Sequence, residues 1–580
     1  MLRRLVLFSV LLINAASPPA VTYFNDHAGD RVKWEAWGKA AFDRAQKEGK
    51  PIALVVGSFA PHSSRTAHQA LESDPATVAA LNGRFVPILL DRAEWPAVAA
   101  AYAAASDRRD TADIVIYALT SDLEWLDVAA KPADLQAIAD HWSTDRSGYL
   151  EDSRLKVRRL RARTPENAAP PSAGRHTFEQ LRALDRSDRQ DILGGGFFRA
   201  VPFFDKNLTD QANLASAYLE AAQLSGDARF AEVARNTLEY SVRDLQMRNG
   251  GFNDSQQADS LVPIGRPVIV EGAYYLWDRS EIMHTFGPKI GAELCERFGV
   301  GPGEKNILRS ARTDTPDPAL AAAMAKMLDI RLKRPMPARD EPILESSALI
   351  ISVLARSNED RFVRAAVLGG TFIQRTRFDQ KTGQLWRRPG VPATANDHAS
   401  LIQACIDLYE ATLDAKWLDL ALDMQGRQDV LFWNAGTRRY ESGSEVPEPV
   451  RAFVVTPAAL APLNARSAIN LQRLAAISGR DDLQQRSEAL GATRATVTRV
   501  IIFGMPYRQD TAALMRAAQT SYDPMRVIVH GGDAKHPPSK NVRIGSLQPL
   551  PDGTATAHVC RAAGCSDALT TPEALAAALK

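Results

Sequence analysis

The chain has 580 residues, 45% hydrophobic and 24% charged, the balance of a folded globular protein rather than a fibrous or disordered one. Its formal charge of +2 provides no strong field to draw it to nucleic acid or anionic lipid. Four cysteines in this length exclude a disulfide-dense scaffold.

At the start, Arg3 and Arg4 precede an apolar run over 5–13, followed by the small residues Ala15, Ala16 and Ser17. A basic start, a short apolar stretch and a small-residue end predict an export signal over residues 1–19. The run is too short to cross a bilayer comfortably, and no other stretch reaches spanning length. The protein is therefore expected to be exported, periplasmic or extracellular, with no membrane span after signal processing.

Over 20–160, helical and strand patterns alternate. Residues 39–48 form an amphipathic helix, and Pro51-Ile-Ala-Leu-Val-Val56 is a continuous apolar run of the kind a buried parallel strand shows. A helix through Leu81 follows, then apolar runs at 85–90 and 114–119. Strand, helix and strand at this spacing predict a βαβ unit. Residues 161–176, with Pro165, Pro170, Pro171 and Gly174 in polar company, read as a linker.

Over 177–497, helices repeat in pairs. Tyr218-Leu-Glu-Ala-Ala aligns with Leu408-Tyr-Glu-Ala-Thr, and weaker copies begin at Leu354 and Leu474. Each copy is a helix end, a tight polar turn and an anchor (Phe230, Trp417, Phe362 or Leu483) that starts the next helix. A more divergent hairpin falls near 280–333. Gly-aromatic turns stand between the pairs at Gly195-Gly-Phe197, Gly250-Gly-Phe252, Gly383-Gln-Leu-Trp386 and 436–440. One hairpin cannot bury its apolar face alone, so the units must stack or close into a ring. The uneven spacing favours a closed toroid over an open solenoid, with its pocket at the end where these turns gather. Residues 498–580 change character again: strand patterns at 498–503, 525–529 and 554–559, with a helix near 511–520, predict a small α/β appendage.

Several constellations carry chemistry. The first strand ends at Gly57-Ser-Phe-Ala-Pro61-His-Ser-Ser64 before a helix, where a thioredoxin-like fold places its redox pair. A thiol there is activated by the helix N-terminus. Pro61 and Ser64 occupy the corresponding positions, so no dithiol chemistry is expected. His62 and His68 are poorly spaced for a metal pair on one helix face and read as exposed histidines; no metal and no cofactor is expected. Cys560 and Cys565 are close enough in an exported chain for a disulfide, whereas Cys295 and Cys405 read as core residues.

In the helical region, polar residues cluster after the Gly-aromatic turns. Arg199 stands with Asp205, Lys206, Asp210 and Gln211; Glu271 with Tyr275, Trp277 and Asp278; and Trp386 and Arg388 with Asn396, Asp397 and His398. Carboxylates and aromatics around a concave ring suit a sugar, with paired acids sharing proton transfer. Asp205, Asp210, Glu271, Asp397 and His398 are thus the catalytic candidates. Arg199, Gln211, Tyr275, Trp277, Trp386 and Arg388 are the binding candidates. Asp210 and Asn396 also stand where helix N-caps are expected.

These motifs together resemble the family of thioredoxin-like proteins fused to a six-hairpin (α/α) barrel, which includes the spermatogenesis-associated thioredoxin-like and bacterial YyaL-type proteins. Trp34-Glu-Ala-Trp37-Gly, Asp91-Arg-Ala-Glu94-Trp-Pro96, Gly195-Gly-Phe-Phe-Arg199, Glu271-Gly-Ala-Tyr-Tyr-Leu-Trp277, Asn396-Asp-His-Ala and Val559-Cys-Arg-Ala-Ala-Gly-Cys565 carry the likeness over nearly the whole chain. It implies an α/β thioredoxin-like domain, an all-α (α/α)6 toroid and a small C-terminal α/β region. Departures fall on polar positions. The family's Cys-His-x-Cys-His string is Pro61-His-Ser-Ser64-Arg65, the Gly-Trp-Pro before the third strand is Ala112-Asp-Ile114, and the family's His and Tyr in the first barrel motif are Phe203 and Thr209. The expectation is a redox-inactive, degenerate member whose barrel binds carbohydrate. A carbohydrate epimerase or hydrolase is the rival reading. A protein-interaction scaffold, with a partner on the thioredoxin-like domain, is the third.

Overall fold

The computed structural model describes residues 22–580 except 108–113, 164–175, 201–202, 263–266, 304, 310–316, 443–445, 448–449, 493–496, 521–522 and 534. The expected leader, most of the linker, and Ala112 and Asp113 lie outside the described residues.

The N-terminal domain is built on one sheet of β1 (Glu35–Ala36), β2 (Ile52–Gly57), β3 (Val86–Asp91), β4 (Val115–Leu119) and β5 (Trp125–Ala129), in the order β1-β3-β2-β4-β5. Strands β2 and β3 are parallel, with Leu54 opposite Ile88, and every residue of both is buried. That is why each reads as an unbroken apolar run. Strand β4 is antiparallel to β2, and β5 to β4. The amphipathic helix is α1 (Lys39–Glu48), and the expected single helix through Leu81 is two: α2 (His62–Ser73) and α3 (Pro75–Arg84). Pro75 favours an extended predecessor, and the Asp74 carboxylate accepts from the Ala76 and Thr77 amides, so a new helix starts there.

The helical region opens with a short helix, Phe178–Asp185, and continues in pairs. They are α4 (Leu208–Ser225) with α5 (Ala228–Tyr240), α6 (Arg279–Arg297) with α7 (Pro318–Arg331), α8 (Leu344–Arg356) with α9 (Asp360–Thr376), α10 (Ala395–Thr412) with α11 (Ala415–Phe432), and α12 (Pro457–Ser478) with α13 (Asp481–Ala489). Helices α4, α8, α10 and α12 pack side by side as the inner members of an arc. Helix α8 buries every residue over 346–355, the pattern of a helix enclosed on all sides. Pair α6/α7 packs instead on its own core of Trp277, Ile282, Leu294, Phe298 and Met327.

The four inner helices of the arc end alike. Gly226, Asn358, Leu413 and Gly479 take φ of 70°, 60°, 56° and 71°, and the outer helix begins two residues later. One left-handed residue reverses the chain between antiparallel helices. This reversal is the physical basis of the sequence repeat.

The C-terminal unit comprises β6 (Thr498–Phe503), α14 (Gln509–Ala518), β7 (Arg526–Gly532), β8 (Thr556–Arg561), β9 (Gly564–Cys565) and α15 (Pro572–Ala578). Its sheet order is β7-β6-β8-β9, with β6 and β7 parallel and the remaining pairs antiparallel. The order and senses are those of β3-β2-β4-β5, so one four-stranded plan occurs at both ends of the chain. The unit bridges the arc: Gln223 of α4 donates to the Gln519 carbonyl, while β7 packs on α10 and α12. No helix among the described residues is long and apolar enough to cross a membrane.

Candidate functional site

The loops leading into the inner helices face the thioredoxin-like domain. The Arg387 Nε donates to the Ala93 carbonyl, the Ala258 amide to the Ala60 carbonyl, and Gln257 Nε2 to the Phe59 carbonyl. Buried Arg388 reaches Glu94 at 2.6 Å, Asp340 at 2.9 Å and Asp91 at 3.4 Å. Arg388 is therefore a tie between domains rather than a pocket residue. The domain thus contacts segments that follow the Gly250 and Gly383 turns.

At this junction lies the first polar cluster. Pro61 is the N-cap of α2, and Ser64 is fully buried on its first turn, its Oγ accepting from the Ser58 amide at 3.0 Å. The Tyr23 ring closes over the same strand end. His62 turns instead to the ribbon of Asp259 and Glu271. Its Nδ1 lies 2.8 Å from Asp259 Oδ1, and its Nε2 3.9 Å from Glu271 Oε2. Arg65 holds the same Asp259 oxygen at 3.1 Å. Asp259 and Glu271 face each other in a two-stranded ribbon. Arg199 Nε binds Asp205 at 2.7 Å, and its guanidinium lies over the Phe203 ring. Burial pushes both the Asp205 and Glu271 carboxyls up, and each carries one buried oxygen without a hydrogen-bond partner. The cluster can hold and pass a proton; with no sulfur it cannot exchange disulfides.

Thus Arg199, Asp205 and Glu271 come together, joined by His62 and Asp259. The other candidates serve elsewhere. Asn207 caps α4 by accepting from the Asp210 amide, and its side-chain amide donates to the Asp210 carboxylate. Asp397 forms a capping box with Thr394 and pairs with Arg387 at 2.8 Å. His398 is buried against Phe432, its Nδ1 bonded to the Thr394 carbonyl, and burial lowers its pKa. Gln211 bonds both backbone groups of Phe197. Tyr275 stacks on Phe204 and bonds Gln256, and Trp277 lies fully buried under Arg334. Trp386 is a half-buried strand residue opposite Pro392. These side chains follow turns, and helix starts after turns need caps and packing. The histidines also differ from expectation: His62 is partly covered, and His68 is 2% exposed and bonded to Asp30.

A cavity of about 430 Å3 lies toward the C-terminal halves of the inner helices. Helix α4 supplies Ser216 and Glu220; α8, Arg356; α10, Gln403, Asp407 and Glu410; α12, Arg466, Asn470 and Arg473; and the C-terminal unit, Gln519 and Arg526. Arg473 binds Asp407 at 2.6 Å and Glu410 at 3.0 Å, and Ser352 donates to Asp407. Burial pushes the Glu410 carboxyl up, against the pull of Arg473. Among the described lining residues none is aromatic. The sequence carried a signal for this site: Glu220 and Glu410 occupy the same place in the aligned repeats.

The C-terminal cysteines face each other across β8 and β9 and are joined as a disulfide, while Cys295 and Cys405 are free and buried.

A thioredoxin-type (Thioredox_DsbH) family model described as "Protein of unknown function, DUF255" matches residues 11–112. The chain is 27% identical to human (Homo sapiens) spermatogenesis-associated protein 20, over 97% of this chain and 91% of that one. It is 24% identical to the Caenorhabditis elegans uncharacterized protein B0495.5, over 71% of this chain and 73% of that one. These matches show the likeness to the spermatogenesis-associated family along most of the chain. A D-mannose isomerase structure covers 56% of this chain and 71% of its own at 11% identity, with a TM-score of 0.32. A cellobiose 2-epimerase from Bacillus thermoamylovorans B4167 covers 55% and 83% at 8% identity, with a TM-score of 0.30. Similarity this slight carries neither the closure of the ring nor a ligand.

Proposed function

We propose that the chain is an exported, redox-inactive protein whose helical arc, completed to a six-hairpin (α/α) ring, binds a carbohydrate in its central cavity. The observation that carries the reading is the cavity itself. Its volume falls within the roughly 300–1,000 Å3 of small-molecule sites. Its wall offers amide, guanidinium, hydroxyl and carboxylate groups from four helices, a match for a polyhydroxylated ligand. The described lining residues favour recognition through hydrogen bonds. Supporting the redox part, a proline and a buried hydroxyl stand at the start of α2. An oxidising destination suits the Cys560–Cys565 disulfide.

Glycan-array screening of the full chain, followed by calorimetry on the best binder, tests the reading. Asp407→Asn should weaken binding by about 10-fold or more, because it removes a buried charged acceptor. A folded protein that binds no neutral or acidic glycan at millimolar concentration overturns it. Catalysis is a second reading, favoured by one observation: Glu410 is a buried carboxyl held toward its acid form beside Asp407. Product formation that disappears in Glu410→Gln while binding persists would establish it.

A further inference from the structure

Outside both polar sites, three ligating atoms converge on the thioredoxin-like domain. His27 ends the one-turn helix Tyr23–Asp26, Asp30 lies three residues on, and His68 stands on α2. His68 Nε2 and His27 Nδ1 lie 2.6 and 3.1 Å from the same oxygen, Asp30 Oδ2. One ligand atom from each of the three residues falls within 4.8 Å of the other two. The imidazoles stack with centroids 3.5 Å apart, and each has a nitrogen on the same Asp30 oxygen. His68 is 2% exposed, whereas His27 and Asp30 reach solvent at 13% and 19%, leaving one open side.

We propose that His27, Asp30 and His68 bind a divalent transition-metal ion of the zinc class. Two imidazoles and one carboxylate are a borderline-soft donor set that such ions favour over magnesium or calcium. Zinc bonds of about 2.0–2.2 Å in tetrahedral array place donor atoms roughly 3.4 Å apart. The two nitrogen–oxygen spacings, 2.6 and 3.1 Å, need to open by less than about 1 Å to reach this value. Supporting groups are in place: Trp34 Nε1 donates to the Asp30 oxygen at 2.9 Å, and Tyr23 Oη lies 3.5 Å from His68 Nδ1. A partner on the outer nitrogen fixes which nitrogen faces the ion. Three protein ligands leave a fourth position open toward solvent. The bound ion would fasten the N-terminal segment to the helix that begins at the former redox position.

The test uses the untagged full-length chain, stripped with chelator and titrated with Zn2+ by calorimetry and with Co2+ by visible absorption. One equivalent of Zn2+ should bind per chain, raising the thermal midpoint. Co2+ should give the intense visible bands of four-coordination without sulfur charge transfer. His27→Gln, at a partly exposed turn, and Asp30→Asn should each weaken binding by about 10- to 100-fold or more. An apo-state melt as cooperative as that of the wild-type chain shows that these variants fold. Absence of saturable binding, undiminished binding in both variants, a sulfur band, or the spectrum of hydrated six-coordinate cobalt overturns the proposal.

Discussion

Arg388 of the helical region reaches across the domain junction to Glu94 of the thioredoxin-like domain at 2.6 Å. Both Asp91 and Asp340, which share the same guanidinium, are almost completely buried. Removing the cation therefore strands carboxylates in a medium that cannot solvate them. Arg388→Met should cost about 3–5 kcal/mol at neutral pH, read as a lower urea midpoint with earlier release of the thioredoxin-like domain. A change within about 0.5 kcal/mol would show that the junction does not depend on this charge.

The same junction sets a pH dependence. Burial pushes the Asp91 carboxyl up to about 6, and Asp340 well above its ordinary value, despite Arg388. A carboxyl with a raised folded-state pKa favours the folded state while protonated. That stability is fully present below about pH 4 and is lost as pH rises through about 6. The deficit of Arg388→Met should accordingly be smaller near about pH 4.5 than near about pH 7.5, because a protonated acid needs no counter-charge. Urea melts of the wild type and variant at the two pH values check it; equal deficits would refute it.

The start of α2 should be silent in thiol chemistry. Insulin reduction in the presence of dithiothreitol should proceed at the rate without protein. Ser64→Ala should change that rate not at all, yet cost about 1 kcal/mol in stability, because the Ser58 amide loses its acceptor. Acceleration of insulin reduction by the wild-type chain would contradict the redox-inactive reading.

Thiol titration in denaturant without reductant should find two reactive cysteines per chain, Cys295 and Cys405. Four would rule out the Cys560–Cys565 bridge. Changing both bridge cysteines to serine should cost about 2 kcal/mol, the loop-closure value for so short a span. Thermal melts under oxidising conditions measure it.

The helix-reversing turns give opposite substitution effects. Asn358 and Leu413 both hold φ near 60°, which favours glycine. Asn358→Gly should be neutral to about 1 kcal/mol stabilising. Leu413→Gly gains the same relief, about 1 kcal/mol, but empties a site 2% exposed in the core shared with β6 and β7. Losing a buried leucine costs about 2–5 kcal/mol, so packing wins and the variant is destabilised. Denaturant midpoints for the two variants should therefore move apart.

The frame was legible where local rules dominate. Unbroken apolar runs marked β2 and β3 because both faces are covered, and the repeat marked the inner helices because each must reverse through one left-handed residue. Short edge pieces such as β1 and β5 carried no such run. Polar residues were harder to read, since a helix-start residue and a catalyst look alike in sequence: Asp210 and Asp397 follow turns and bond the N-cap residues of their helices. Asp259 joins the cluster through a ribbon pairing and a contact with His62, 197 positions away. Neither relationship has a local signature. Arg473, Asp407 and Glu410 sit mid-helix among apolar neighbours, and only the recurrence of Glu220 and Glu410 hinted at a shared wall.

Gln519 and Arg526, near the end of the chain, line the cavity whose opposite wall begins at Ser216. During synthesis the early helices must wait, their inward-facing polar side chains wet, until the final eighty or so residues leave the ribosome, roughly 20–70 s after the inner helix α4. A chain stopped before β6 should thus lack the wall that Gln519 and Arg526 supply. Limited proteolysis of such ribosome-stalled chains would reveal inner-helix cleavage that vanishes on completion.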